Sequence, residues 1–318
     1  MKIILNIFEY TTLSYLKKMK GGVWLFATRM KIGFHIRFAG NLKRLSNDVI
    51  KTRGNVFQFF SRSIRGGRMP DISERQLQNY YNFLFERRIS NVIVLAPYGF
   101  KVAGKDVSSN LAVPNEIAIR EILKDLEFAK EIHAKYYVVN AGYSKGLSEF
   151  ESIEILKMQL NEILQKTTWN GDILVKNMAG GGTELAADLY RWKEIISFNE
   201  RIKGALDFGR AFSFGYSFLT KAEAEVFLKF IETDIGWDKI PLIYINDSNR
   251  FAGSKREDVV PLGDGVIGFH GYKNILNNKD ILEKIWMIEN QPDVIYYDRT
   301  INFLVEFHRN NKEKGGGL

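Results

Sequence analysis

Polar side chains stand directly after several short apolar runs of this sequence. Asn140, Lys176 and Asp207 each end such a run, and so does the pair Asn246-Asp247. Because the carboxyl ends of parallel strands meet on one rim, we expect these side chains to lie close together. Amides, carboxylates and an ammonium on one rim can bind an anion, hold a metal ion or pair with one another. The chemistry of the protein is therefore expected at these strand ends.

A basic segment follows the apolar run Asn55–Ser61. Three arginines, Arg62, Arg65 and Arg68, alternate there with small and flexible residues. Guanidinium groups on a flexible loop suit the phosphates of a nucleic-acid backbone. The alternative is a basic loop that faces only solvent. We predict that these three arginines contact the phosphates of a nucleic acid such as DNA.

The elements that must position these groups alternate as strand and helix. Near-continuous apolar runs between helical periods are typical of a parallel sheet buried on both faces. Eight such repeats predict a single (β/α)8 TIM barrel, an α/β fold, with a doubly wound open sheet as the competing architecture. The predicted strands are Lys31–Arg37, Asn55–Ser61, Asn91–Leu95, Tyr136–Asn140, Asp172–Asn177, Ile202–Asp207, Pro241–Asp247 and Asp293–Asp298. The predicted helices cover about residues 41–52, 72–88, 115–133, 149–167, 183–198, 220–235, 271–284 and 300–312.

The predicted barrel domain covers residues 30–312 and is flanked by two short segments. Residues 1–29 are expected to be a weakly ordered extension, with a contact arm for a protein partner as the alternative. Residues 313–318 are glycine-rich and are expected to form a disordered tail. No apolar run approaches the roughly 20 residues of a membrane span, and no secretory signal pattern is present. We therefore expect a soluble, intracellular protein without membrane contact.

Composition narrows the chemistry that the chain can perform. It contains 318 residues, no cysteine and four histidines. A disulfide framework and a thiolate metal site are thereby excluded, and a site for several metal ions would consist mostly of carboxylates. The 45 basic side chains exceed the 37 acidic ones, which gives a net charge of +8. This excess favours a polyanionic partner such as nucleic acid.

Taken in order, the strand-end motifs resemble those of the endonuclease IV family of apurinic/apyrimidinic endonucleases (AP endonuclease family 2). The matching segments are Gly33-Phe34-His35-Ile36, Gly40-Asn41-Leu42, Phe57-Gln58-Phe59-Phe60, Ala96-Pro97-Tyr98, Asn177-Met178-Ala179-Gly180, Leu206-Asp207, Ala211-Phe212, Gly215-Tyr216, Asn246-Asp247-Ser248, Gly253-Ser254 and Gly263-Asp264-Gly265. The resemblance covers about residues 31–300. It implies a xylose isomerase-like TIM barrel that holds three zinc ions and cuts DNA 5′ to abasic sites.

Most zinc ligands of the resembled family have no counterpart in this chain. The positions that match its nine ligands are Leu95, Asn140, Lys176, Asp207, Arg210, Tyr244, Glu257, Val259 and Asp298. One of them is identical, two others keep a carboxylate, and none is a histidine. Zinc prefers neutral imidazole or anionic ligands, whereas Lys176 and Arg210 are cations. We therefore predict that zinc is not bound and that no cofactor replaces it.

Two interpretations of the rim cations stay open at this stage. Lys176 and Arg210 either clamp a phosphate or pair with Asp207 and Asp298 in an internal network, and the second interpretation is favoured. Tyr98 matches a family residue near the abasic pocket, so it is predicted either to contact DNA or to pack at the rim.

The sequence therefore predicts an endonuclease IV-like DNA-binding protein of DNA-repair ancestry, a pseudoenzyme without its zinc centre. The first alternative is a weakened AP endonuclease or phosphodiesterase that holds Mg²⁺ or Mn²⁺. Its ligands would be the carboxylates Asp207, Glu257, Asp258 and Asp298. The second alternative is a structural or assembly module with no role on DNA.

Overall fold

The computed structural model of the chain describes residues 30–63, 67–97, 115–144, 146–289 and 294–315. Eight parallel strands of this part close into a barrel. This confirms the predicted TIM barrel and excludes the open sheet. All strands below except β8 and β9 belong to the barrel. In chain order they are β1 Lys31–His35, β2 Val56–Phe60, β3 Asn91–Leu95, β4 Tyr136–Asn140, β5 Asp172–Lys176, β6 Ile202–Asp207, β7 Leu242–Tyr244, β8 Asp247–Ser248, β9 Val259–Val260 and β10 Ile285–Ile288.

Helices follow the barrel strands and form its outer layer. They are α1 Leu42–Thr52, α2 Glu74–Glu86, α3 Glu116–Glu131, α4 Glu149–Lys166, α5 Leu189–Ile196, α6 Phe208–Phe214, α7 Lys221–Phe230, α8 Gly268–Ile275, α9 Lys279–Leu282 and α10 Val294–Gly315. The predicted N-cap of α7 is present, since the side chain of Thr220 accepts a hydrogen bond from the backbone N–H of Glu223. A side-chain acceptor at this place satisfies a donor that the first helical turn leaves unpaired.

The first seven predicted strands each contain a barrel strand, but the eighth was placed wrongly. The closing strand is β10, which pairs with β1 and β7. Residues 294–298 of the predicted strand Asp293–Asp298 instead lie in α10, and Asp293 is outside the described residues. The buried residues Ile301, Leu304 and Val305 repeat at helical spacing further along α10, so packing of a helix face overrides the strand-like appearance of its first turn.

Two helices are shorter than predicted because capping residues interrupt the pattern. Asp188 accepts a hydrogen bond from the backbone N–H of Tyr190, so α5 begins only after it. Asn278 accepts from two backbone N–H groups and separates α8 from α9 within the predicted helix 271–284. In contrast, α10 continues to Gly315, which includes part of the expected tail. Residues 1–29 lie outside the described part, so their role stays a prediction.

Apolar side chains fill the interior of the barrel. Leu95, Leu174, Tyr244 and Met287 belong to this buried cluster. A larger cluster fills the space between strands and helices. The barrel is thus a packed core, and its polar chemistry is confined to the rim at the carboxyl ends of the strands. Within the described residues, no helix combines the length and hydropathy needed to cross a bilayer.

Candidate functional site

Lys176, at the end of β5, lies at the centre of the strand-end rim. Its side chain is only 2% exposed, and Nζ lies 3.0 Å from Asp207 Oδ2 and 2.8 Å from Glu289 Oε2. The same nitrogen lies 3.6 Å from the ring centroid of Tyr244. Burial alone would lower the pKa of Lys176, but the carboxylates of Glu289 and Asp207 outweigh burial and raise that pKa above its ordinary value. The lysine is therefore an enclosed, charged ammonium.

Glu289 is the rim residue that sequence reasoning missed. It follows β10 directly and accepts hydrogen bonds from Lys176, from Asn246 Nδ2 at 2.9 Å and from Gln58 Nε2 at 3.2 Å. Burial would raise the pKa of Glu289, but its basic neighbours, with Lys176 first among them, together lower it to about 2. A signal was present in the sequence, since Glu289 ends the apolar run of β10 as Lys176 and Asp207 end theirs.

Asp298 does not belong to the rim, which corrects the predicted pairing with Lys176. It lies on α10, and its Oδ1 accepts a hydrogen bond from Arg53 Nη1 at 2.7 Å. Arg53 follows α1 and precedes β2, so this ion pair lies at the amino end of the barrel strands. The error follows from the misplaced eighth strand. The predicted pairing of Lys176 with Asp207 is confirmed, and Glu289 takes the place given to Asp298.

Arg210 forms the second half of the same network. Asp207 positions it, because Asp207 caps α6 by accepting the backbone N–H of Arg210 at 3.1 Å. The Arg210 guanidinium donates to Glu257 Oε1 at 2.9 Å and to Asn140 Oδ1 at 2.8 Å. Burial opposes its charge, but Glu257 and Asp207 raise the pKa of Arg210. We name Lys176, Arg210, Asp207, Glu257 and Glu289 the ion-pair cluster.

The ion-pair cluster does not fit the zinc centre of the resembled family. Lys176 lies between Asp207 and Glu289 and bonds to both, so a metal ion bound there would have to displace a buried cation. Zinc also requires ligands that are anionic or neutral imidazoles. Among the described residues, no three His, Asp or Glu side chains form a group that could hold a metal ion.

The carboxylates suggested for Mg²⁺ or Mn²⁺ are not brought together either. Asp298 lies at the opposite end of the barrel. Asp258 forms an ion pair with Arg250 at 3.1 Å, and Glu257 is engaged by Arg210. Two further positions that match zinc ligands, Leu95 and Tyr244, are packed in the barrel interior.

Arg62 is a structural residue rather than the solvent-facing phosphate contact predicted from the sequence. Its side chain is 2% exposed and reaches the buried carboxylate of Asp125 at 2.8 Å. The guanidinium also donates to Glu121 Oε2 and to the backbone oxygens of Glu121 and Gly67, each at 2.8 Å. All five N–H donors of Arg62 are thereby satisfied within the protein. A desolvated, saturated guanidinium is not available to a phosphate.

Of the other three predicted DNA contacts, Arg68, Arg65 and Tyr98, only Arg68 lies in the described part of the chain. Arg68 is exposed on the loop between β2 and α2, as that prediction requires. Arg65 and Tyr98 lie outside the described residues, so both stay predictions.

Glu289→Gln is expected to destabilise the protein in a pH-dependent manner. The folded-state pKa of about 2 lies below the ordinary value of 4.5, so the ionised carboxylate stabilises the fold above about pH 4.5. The stabilisation is lost as the pH falls through 4.5 toward 2. In urea unfolding at pH 7, the free energy of unfolding of Glu289→Gln should be about 2–3 kcal/mol lower than that of the native protein. At pH 3 this difference should be less than half as large.

Glu154→Gln provides the matched control, because Glu154 forms a surface pair with Lys157 and its side chain is 47% exposed. Its effect should stay within about 1 kcal/mol. A Glu289→Gln loss that is the same at pH 7 and pH 3 would contradict the role given to the ionised carboxylate.

Comparison with known proteins shows the family to which the chain belongs. Residues 50–306 match the family model described as a xylose isomerase-like TIM barrel (AP endonuclease family 2). The probable endonuclease 4 of Carboxydothermus hydrogenoformans is 29% identical over 275 residues, which cover 85% of this chain and 94% of that protein. The probable endonuclease 4 of Clostridium beijerinckii is 28% identical over 286 residues, covering 88% and 100% of the two chains.

The structural comparison gives the same fold. The crystal structure of endonuclease IV from Thermus thermophilus superimposes with a TM-score of 0.76 at 19% identity, covering 88% of this chain and 99% of that one. The chain therefore belongs to the xylose isomerase-like TIM barrels of AP endonuclease family 2, and it is a divergent, endonuclease IV-like member in which most zinc-ligand positions are replaced.

Proposed function

We propose that this protein is an endonuclease IV-like DNA-binding barrel that binds DNA without cutting it. The observation that carries the proposal is the position of Lys176. The resembled family has a metal-bridging carboxylate there, and in this chain an enclosed ammonium bonds to Asp207 and Glu289. A hydrolase of this type needs metal ions to activate water and to neutralise phosphate. The ion-pair cluster takes the place of these metal ions, whereas the surface around it can still bind DNA.

Exposed cations on the face that carries the strand ends support binding to DNA. Arg37 follows β1, Arg68 follows β2, and Lys255 and Arg256 lie on the loop between β8 and β9; all four are exposed. Arg37, Arg68 and Arg256 have no ion-pair partner in the described part of the chain. Unpaired guanidinium groups that share one face suit the phosphates of a nucleic-acid backbone.

An exposed aromatic side chain lies on the same loop as Lys255 and Arg256. Phe251 is 74% exposed on the loop between β8 and β9. The loop is held in place, because Lys255 N donates to Ser213 O at 2.7 Å and Asn249 N to Asp258 O at 3.1 Å. An aromatic ring on a fixed basic loop is suited to stacking on a base.

Charge reversal tests the proposed DNA surface. The double variant Arg68→Glu with Arg256→Glu should bind a fluorescent duplex containing an abasic-site analogue at least about tenfold more weakly at 50 mM salt. The slope of log affinity against log salt should also become shallower, because fewer counterions are released. Arg44→Glu is the control, since Arg44 lies on the outer helix α1 with a side chain 68% exposed. Equal affinity of the native protein and the double variant would contradict the proposal.

An incision assay tests the second half of the proposal. The native protein should give no product above the blank from an abasic duplex, with or without added Zn²⁺, Mg²⁺ or Mn²⁺. An active endonuclease IV serves as the positive control. Product that requires metal and disappears in Asp207→Asn would instead establish residual metal-dependent AP endonuclease activity.

A further inference from the structure

A cavity of about 650 Å³ opens between the loop after β1 and the loop after β2, beside the ion-pair cluster. Six of its lining residues are His35, Arg37, Phe38, Phe60, Ser61 and Arg68. Its size lies within the range of about 300–1,000 Å³ that is usual for small-molecule sites. The lining combines the exposed guanidinium groups of Arg37 and Arg68, the buried guanidinium of Arg62, an imidazole and two phenyl rings. Arg62 is saturated by protein acceptors, so the two exposed guanidinium groups and the rings suit an anion attached to a flat ring.

The amide of Gln58 fixes the tautomer of His35 in this cavity. Gln58 Oε1 accepts from the Tyr244 hydroxyl, and Gln58 Nε2 donates to the Glu289 carboxylate at 3.2 Å. A flipped amide would place its oxygen against that carboxylate. The second N–H of Gln58 therefore points to His35 Nδ1, which lies 3.2 Å from Nε2 of Gln58. Because Nδ1 accepts, the neutral ring must carry its proton on Nε2.

The charge state of His35 agrees with this assignment. Burial lowers the pKa of His35, Glu289 opposes this effect, and Lys176 adds to it, with a net pKa below the ordinary value. His35 is thus neutral near pH 7. Its only side-chain hydrogen bond in the described part of the chain is the one through Nδ1, so the Nε2–H donor has no acceptor among the described residues.

The two guanidinium groups complete the donor set of the cavity. Arg37 and Arg68 come from different loops, and both are exposed. Neither has an ion-pair partner among the described residues. Two exposed cations and a neutral N–H donor, without an acidic side chain among the described lining residues, favour a phosphate over a neutral sugar or a cation.

The rings give the cavity flat apolar walls. Phe60 packs edge-on against His35 with ring centroids 4.9 Å apart. Phe38 packs against Phe59 at the same centroid distance and is only partly buried. Contacts behind both rings hold them in place, and the rings can support the face of a base.

We propose that this cavity binds one nucleotide, with its base against Phe38 and Phe60 and its phosphate between Arg37 and Arg68, where the Nε2–H of His35 adds a further donor. The inference deepens the proposed DNA binding and rests on it, because it names an unpaired nucleotide as the feature that the protein prefers. A free mononucleotide carries the same base and phosphate as an unpaired nucleotide of DNA. The experiment therefore distinguishes between these two ligands.

The test measures affinity for three probes in the native protein and in Arg37→Gln with Arg68→Gln. The probes are a fully paired duplex, the same duplex with a one-nucleotide bulge, and the free nucleotide dTMP. The native protein should prefer the bulged duplex by about tenfold, and the double variant should lose that preference. Arg44→Gln, which removes one charge outside the cavity, should keep it.

Each outcome decides between the two sources or rejects the inference. Binding of both duplexes with equal affinity, and no saturable binding of dTMP, would overturn the cavity assignment while leaving the proposed DNA binding intact. If neither duplex binds but dTMP binds saturably and loses affinity in the double variant, the proposed DNA function fails and the cavity is a mononucleotide site. If no probe binds, both are wrong.

A measurement on the native protein tests the role of His35 without depending on the folding of a variant. The ¹⁵N shifts of His35 should show the Nε2–H tautomer at pH 7, both free and with the bulged duplex. An Nδ1–H tautomer would overturn the donor role given to His35, and an imidazolium ring would overturn its neutral state.

Discussion

Lys176→Met is expected to lower the free energy of unfolding by about 3–5 kcal/mol, the usual effect of removing one partner from a buried ion pair. Methionine approximates the length of lysine, so loss of volume contributes little. The ammonium that lies 3.0 Å from Asp207 and 2.8 Å from Glu289 disappears. Two carboxylates that share the amide of Asn246 would then face each other without the ammonium between them, although Asp207 keeps Arg210 at 3.9 Å. Urea unfolding at pH 7 measures the loss.

Lys203→Met is the matched control for this prediction. Lys203 lies on the neighbouring strand β6 and pairs with Asp172 at 2.8 Å, but its side chain is 30% exposed. Its loss should stay near 1 kcal/mol, as for other solvent-screened pairs. Adding Glu289→Gln to Lys176→Met should recover part of the stability, because it removes one of the two carboxylate charges that face each other. Equal losses in Lys176→Met and Lys203→Met would show that the ion-pair cluster is not a buried unit.

Arg62→Met is expected to be about equally destabilising, by about 3–5 kcal/mol. The change leaves the fully buried carboxylate of Asp125 without its cation, although Ser61 and Tyr137 still donate to it. It also removes the hydrogen bonds that tie the loop after β2 to α3. Arg62→Lys should recover little, because one ammonium cannot supply five donors in the geometry of a guanidinium.

The exposed Arg44 again provides the control, and Arg44→Met should change stability by less than about 1 kcal/mol. Hydrogen exchange adds a local measurement, because loss of the Arg62 contacts should increase exchange in residues 67–70 first. A stable Arg62→Met variant with unchanged exchange there would contradict the structural role of Arg62 and would return it to the predicted DNA surface.

Much of the fold could be predicted from the sequence because strand and helix periods are local. The apolar run at Tyr136–Asn140 and the capping pattern at Thr220 both correspond to observed elements. The eighth strand could not be placed in this way. The runs at 285–288 and from Val294 onward both resemble strands, and only pairing with β1 and β7 selects the first. The choice depends on neighbours that are far away in sequence.

The candidate site was likewise predicted only in part, because some of its contacts join residues that are far apart in sequence. The position of Lys176 at a strand end, and the conflict between its charge and a zinc ligand set, were evident from residue types. Its second carboxylate, Glu289, lies 113 residues away and was not found. Arg62 and Arg68 looked alike in the sequence, yet Arg62 is buried against Asp125 and Arg68 is exposed. The sequence shows that a charged side chain is present. Its burial in the folded protein decides whether it pairs with a carboxylate or is open to a ligand.

The sequence by itself determined the barrel, the rim on which the chemistry lies and the replacement of the zinc ligands. These follow from local periodicity and from the residue types at strand ends. Only the tertiary structure decided which charges are partners, which arginine is buried and which is exposed, and that His35 Nδ1 faces the amide of Gln58. The physical reason is that ion pairs and hydrogen bonds depend on distances of a few ångströms between distant segments, and those distances arise only when the barrel closes.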